Sequence, residues 1–190
     1  MEILQEFYKM HEVIIYSFIV TIIIISIYTD KKYYKVLNKV VFPAMLIGAS
    51  TLFALEGISG FTSSVKSIFL TMMVLFIFYI PKFLGAGDIK LIAVIASFIG
   101  FGQAIFVMLY SFLAGGVIAL FLLLIRKNGI ARFKKLLGYM KLTFYLGKLT
   151  KYDEGKNDEK GIFRFTYAIF VGYSLYLLEV FGVLVLFQVY

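Results

Sequence analysis

An all-α, polytopic membrane protein is what this sequence predicts, with about six transmembrane helices and one further amphipathic helix at the membrane interface. Three observations point there. Of 190 residues, 62% are hydrophobic and the mean hydropathy is +0.94. Soluble domains are roughly 45–50% apolar, so a water-soluble core of this size cannot hide so many apolar side chains. The apolar residues gather in runs between polar connections. Lys and Arg concentrate in alternate connections, which is the mark of membrane topology.

The first apolar run extends from about Val13 to Tyr28, the second from about Val40 to Leu55 and the third from about Ser67 to Ile80. The fourth follows Gly85-Ala86-Gly87-Asp88 to about Phe101, the fifth covers Ala104 to Ile125, and the sixth Phe163 to Val189. Several are shorter than the ~20 residues of a perpendicular crossing, so their flanks are expected to extend them. Gly115-Gly116 and Ala119 offer a small-residue face for helix packing. In the basic stretch after the fifth run, Ile130, Phe133, Leu136, Leu137, Met140 and Phe144 recur at helical spacing, with Lys134, Lys135 and Lys141 largely off that stripe. This pattern predicts the interfacial helix. Asp153 to Lys160 is polar and reads as a loop. The whole chain, 1–190, is expected to form a single integral membrane domain with a cytoplasmic basic loop at about 126–160.

The connections set the orientation. Lys31, Lys32, Lys35 and Lys39 follow the first run; Lys82 and Lys90 flank the third connection; ten basic residues lie from Arg126 to Lys160. The second connection has only Lys66 and the fourth has none. The positive-inside rule then puts the odd connections in the cytoplasm and both termini outside a cytoplasmic membrane. The net charge of +8 thus reflects topology and attraction to anionic lipid, and not nucleic-acid binding. Glu2, Glu6 and Glu12 give the N-terminus the wrong sign for a cleavable signal, so the first run is read as a retained span. There is no cysteine and one histidine, His11. That excludes a thiol nucleophile, a Cys-type zinc site, a multi-histidine metal site and a Ser/His/Asp triad. No cofactor and no metal are expected.

Two carboxylates remain as candidates for chemistry. Asp30 closes the first run and Asp88 opens the fourth, so both reach the cytoplasmic face on a topology assigned from lysines alone. If the fourth span begins near Phe83, Asp88 lies one to two turns inside the boundary, where a carboxylate is costly, by about 3 kcal/mol on insertion scales. A small wet cavity is inferred there. Gly85 and Gly87 are expected to allow close backbone approach and unusual dihedrals. Paired aspartates can share a proton, one activating water as base and the other donating to the peptide carbonyl. Each has a plainer reading: Asp30 as a solvated charge or helix cap, Asp88 as an N-cap. Lys90, two residues from Asp88, does not face it on a helix and is expected to snorkel to the headgroups. Glu56 and Glu179 are read as outer-boundary or packing residues, and His11 as incidental.

Gly85-Ala86-Gly87-Asp88-Ile89-Lys90-Leu91 resembles the GxGD-x-K-L signature of the type IV prepilin peptidases. Asp30 followed by a basic stretch and Leu37-Asn38 resembles that family's first-aspartate region, with Leu37 where a proline is usual and Asn38 in the Asn/Asp position. Arg164-Phe165-Thr166-Tyr167-Ala168-Ile169 resembles the family's terminal Pro-Tyr-Gly/Ala segment without its proline. The resemblance implies an aspartic endopeptidase, with Asp30 and Asp88 as the catalytic pair and Gly85, Gly87, Lys90 and Asn38 as motif residues. Its substrate would be a prepilin or prepilin-like protein, part of type IV pilus assembly or protein secretion, cleaved on the cytoplasmic side between basic leader and hydrophobic helix. Without cysteine, the N-methyltransferase activity of many bacterial members is not expected. The two aspartates need not touch before substrate binds. Other readings are an intramembrane protease of the presenilin type, an ion- or proton-coupled transporter using the aspartates as a relay, and a non-catalytic membrane assembly subunit.

Overall fold

The computed structural model describes residues 2–80, 83–125 and 164–183. Among them are six helices and no strand: α1 (Glu2–Tyr33), α2 (Asn38–Glu56), α3 (Ile58–Tyr79), α4 (Ala86–Ile99), α5 (Phe101–Ile125) and α6 (Phe165–Val180). They stand at the six apolar runs. Four contain segments long and apolar enough to cross a membrane: His11–Tyr33 in α1, all of α2, all of α3, and Phe101–Leu122 in α5. With 14 and 16 residues, α4 and α6 fall short. The rise of α4 is about 21 Å against a hydrocarbon core of about 30 Å. Six helices therefore do not amount to six demonstrated crossings. The predicted interfacial helix and the basic loop lie outside the described residues.

Two connections are shorter than the sequence suggests. Gly57 alone joins α2 to α3, with φ +68°, and Gly100 alone joins α4 to α5, with φ +86°. Such left-handed backbone costs glycine nothing that a Cβ would add, so one residue suffices to reverse the chain. The polar stretch before Ser67 is consequently helix, and Lys66 is an exposed side chain on α3 instead of a loop charge. With these two joints at one end, the α1–α2 and α3–α4 connections and the start of α6 meet at the other.

The core is built around α4. A helix apolar on every face belongs in the interior, and Leu91, Ile92, Ala93, Val94, Ile95 and Ala96 are each 0% exposed. Neighbouring helices approach closely through small residues, as membrane bundles do. A Cβ on Gly48 of α2 would collide with the Ser97 side chain of α4, and one on Gly172 of α6 with the backbone of Ser111 on α5. Some polar groups bond across helices: Ser64 donates to the Ser97 carbonyl (2.8 Å), and the Phe101 N–H at the start of α5 donates to Ser67 Oγ (3.1 Å), while the buried hydroxyls of Ser26, Thr71 and Tyr173 have no hydrogen-bond partner among the described residues. Large apolar side chains face outward as well as inward, including Leu46, Phe69, Met73, Ile77 and Phe121. An apolar exterior around an equally apolar interior suits a lipid solvent.

The chain forms two compact units, Met1–Ala114 with Arg164–Tyr190, and Gly115–Phe163. Every residue of the site below belongs to the first.

Candidate active site

A cavity of about 570 Å³ opens where α1 ends, α2 begins and α4 begins. Asp30 and Asp88 both line it, together with Tyr34, Lys35, Val36, Leu37, Asn38, Lys39, Gly85, Ala86, Gly87 and Lys90. Each sequence-predicted site residue is therefore at one place.

Asp30 lies in the last turn of α1, half-buried. Its carbonyl accepts the Tyr34 N–H at 3.0 Å, and Tyr34 takes a left-handed φ of 56° that turns the chain toward α2. A non-glycine residue in that region costs roughly 1 kcal/mol. The Tyr34 ring is covered by the Arg164 guanidinium at 4.9 Å, which ties the end of α1 to the residue preceding α6.

Asp88 lies in the first turn of α4, because the helix starts at Ala86 and not near Phe83. One of its oxygens, Oδ2, accepts the Gly85 N–H at 3.3 Å. Glycine has no side chain to reciprocate, so this is half of a capping box. Gly85 has an ordinary extended conformation (φ −75°, ψ 149°) and Gly87 is helical, so the motif does not need unusual dihedrals. What it needs is space. A Cβ on Gly85 would stand 3.1 Å from Asp88 Oδ2, and one on Gly87 3.0 Å from Val36 Cβ. The first glycine leaves room for the carboxylate to fold back, and the second lets the α1–α2 connection close over α4.

Lys90 does not reach for the headgroups. Its ammonium donates to Asn38 Oδ1 at 2.9 Å and sits 5.4 Å from the centre of the Phe42 ring. Burial of the stem at the cavity edge and an acceptor within reach outcompete the extended, snorkelling conformation.

Thr166, in the first turn of α6, is the residue sequence reasoning did not single out. It is 1% exposed, and its hydroxyl lies 3.0 Å from Asp30 Oδ2 and 3.4 Å from Asp88 Oδ1. The two carboxylates are thus linked through one hydroxyl without any substrate. In the sequence Thr166 is one hydroxyl residue at the start of an apolar run, with no local pattern that pairs it with the aspartates.

Residues 17–120, more than half of the chain, match the type IV leader peptidase family. This chain belongs to that family. Membership implies a prepilin-type leader peptidase of the aspartic class. Searches of curated proteins and of solved structures each found no match. The family match covers Asp30 and the Gly85–Asp88 motif and ends before Thr166. Of the remaining carboxylates, Glu56 is exposed at the end of α2, while Glu179 on α6 is buried and accepts from the Tyr110 hydroxyl of α5. His11 is half-buried on α1 and does not line the cavity.

Proposed function

We propose that the protein is a membrane aspartic endopeptidase that removes the basic leader from a prepilin or prepilin-like substrate at the cytoplasmic membrane face. The observation that carries this reading is the convergence of Asp30 and Asp88 on one cavity, joined through Thr166. A carboxylate pair of this kind hydrolyses a peptide bond without a cofactor. The ionised member takes a proton from water as the water adds to the scissile carbonyl. The protonated member passes its proton to the carbonyl oxygen. When the resulting diol collapses, the C–N bond breaks, one diol proton returns to the second carboxylate, and the first gives its proton to the leaving amine.

The placement fits a substrate whose apolar helix lies in the bilayer. The cavity is at the end of the bundle that carries Lys31, Lys32, Lys35, Lys39 and Lys90, which the positive-inside rule assigns to the cytoplasm. A leader held outside the bilayer would then present its junction with the helix at the depth of the pair. A relay through the membrane is less well served, because both aspartates sit at one end. We read the chain as one peptidase domain without methyltransferase activity, in contact with anionic lipid through its basic connections.

The test is cleavage of a purified prepilin-like substrate by protein in detergent or lipid, repeated with Asp30→Ala and Asp88→Ala. Loss of the leader with wild type and not with either variant supports peptidase action. An absence of cleavage together with aspartate-dependent ion flux would replace it with transport.

A further inference from the structure

The bridging hydroxyl has a polarity. A threonine side chain offers one O–H donor and two acceptor lone pairs. It cannot donate to Asp30 and Asp88 at once. The nearer oxygen is Asp30 Oδ2 at 3.0 Å, against 3.4 Å for Asp88 Oδ1. If the hydroxyl proton points to Asp30, a lone pair faces Asp88 Oδ1, and two lone pairs oppose each other unless Asp88 brings a proton. The other oxygen of Asp88 is already an acceptor, from the Gly85 N–H. Oδ1 is the oxygen left to carry an acid proton.

We propose that Thr166 is a positioning residue that orders the shared proton, holding Asp30 as the ionised base and Asp88 as the protonated acid in the resting enzyme. This rests on the peptidase reading above and adds the assignment of roles within it. After water has added, Asp30 bears the proton and Asp88 is ionised. The same hydroxyl, turned about its C–O bond, then accepts from Asp30 and donates to Asp88. Thr166 thus stabilises both proton distributions in turn while remaining 1% exposed and out of the reaction. The charged and titratable groups facing the pair, among the described residues, are Tyr34 and Lys35 from the α1–α2 connection, Lys39 from α2 and Lys90 from α4. Arg164, beside α6, is stacked on Tyr34, and Lys90 is held by Asn38.

The experiment compares Thr166→Val, Thr166→Ala and Thr166→Ser with wild type in leader cleavage across pH. Melting temperature and gel filtration identify folded enzyme, and rates are taken per folded molecule. Two hydroxyl-free variants of different shape keep the test available if one fails to fold. Loss of the hydroxyl is expected to lower kcat roughly ten- to a hundredfold, the scale of a hydrogen bond to a charged group, with KM within about twofold. It should also narrow the bell-shaped pH–rate profile from both sides. The two limbs belong to the pair, and without the hydroxyl the one-proton state on which the bell depends loses its bridging hydrogen bonds. Serine should restore the rate and the width of the bell. Wild-type rates and profile in the valine or alanine variant would overturn the role of Thr166 and leave the aspartate mechanism standing. So would equal inactivity of serine and valine, or a change confined to KM. Cleavage that fails in wild type, or persists without the aspartates, overturns the peptidase reading and this inference with it.

Discussion

The ammonium of Lys90 on α4 donates to the side-chain carbonyl of Asn38, the first residue of α2, at 2.9 Å, and not to Asp88 one half-turn away. The contact joins two motif residues remote in sequence and fixes the start of α2 against the start of α4. It also keeps a cation engaged outside the carboxylate pair, which leaves Asp88 free to hold a proton.

Breaking this contact from either side should therefore cost the same interaction. Asn38→Ala and Lys90→Met are each expected to lower stability, and a double-mutant cycle on melting should give a coupling of about 1 kcal/mol. Additive single effects would show that the two side chains do not support one another. Cleavage should fall in both single variants, because the wall of the cavity between α2 and α4 is loosened.

Gly87 is required for closure of the α1–α2 connection over α4, since its Cβ would stand 3.0 Å from Val36 Cβ and 3.2 Å from Val36 Cγ2. Gly87→Ala should slow cleavage severalfold, and Gly87→Val more, with the fold retained. Adding Val36→Ala removes one of the two crowded atoms and should recover part of the loss. Rates of the single and double variants check this directly.

The helix packing makes a separate prediction about stability. Gly172→Ala would drive a methyl into the backbone of Ser111, and backbone cannot swing aside as a flexible side chain can. A loss of about 1–3 kcal/mol is expected. Gly102→Ala, at a position with open space around its Cβ, should leave the melting temperature unchanged or slightly higher. Comparable losses at both positions would contradict the packing described.

Much of this arrangement is legible in the residues. Long apolar runs mark the six helices because the chain must satisfy its backbone internally in lipid. The alternation of lysines by itself assigns Asp30 and Asp88 to one face. Helix limits are less legible. Lys66 looks like a loop charge, yet it lies more than two turns into α3 as an exposed side chain, and the turn that matters is the single Gly57. The partner of Lys90 is hidden because it depends on how α2 meets α4. Thr166 is hidden for a related reason: a hydroxyl in an apolar helix ordinarily bonds the carbonyl one turn back, as Ser111 and Ser174 do here. Only tertiary packing aims Thr166 at the two aspartates.

The most direct test of the central claim is the initial rate of leader removal by wild type, Asp30→Asn, Asp88→Asn and the double variant, measured on one prepilin-like substrate. Two carboxylates acting as one unit around one water predict single losses of at least about a hundredfold, with the double variant scarcely slower than either single one. A single variant that keeps a rate near wild type, or losses that simply multiply in the double variant, would contradict the account.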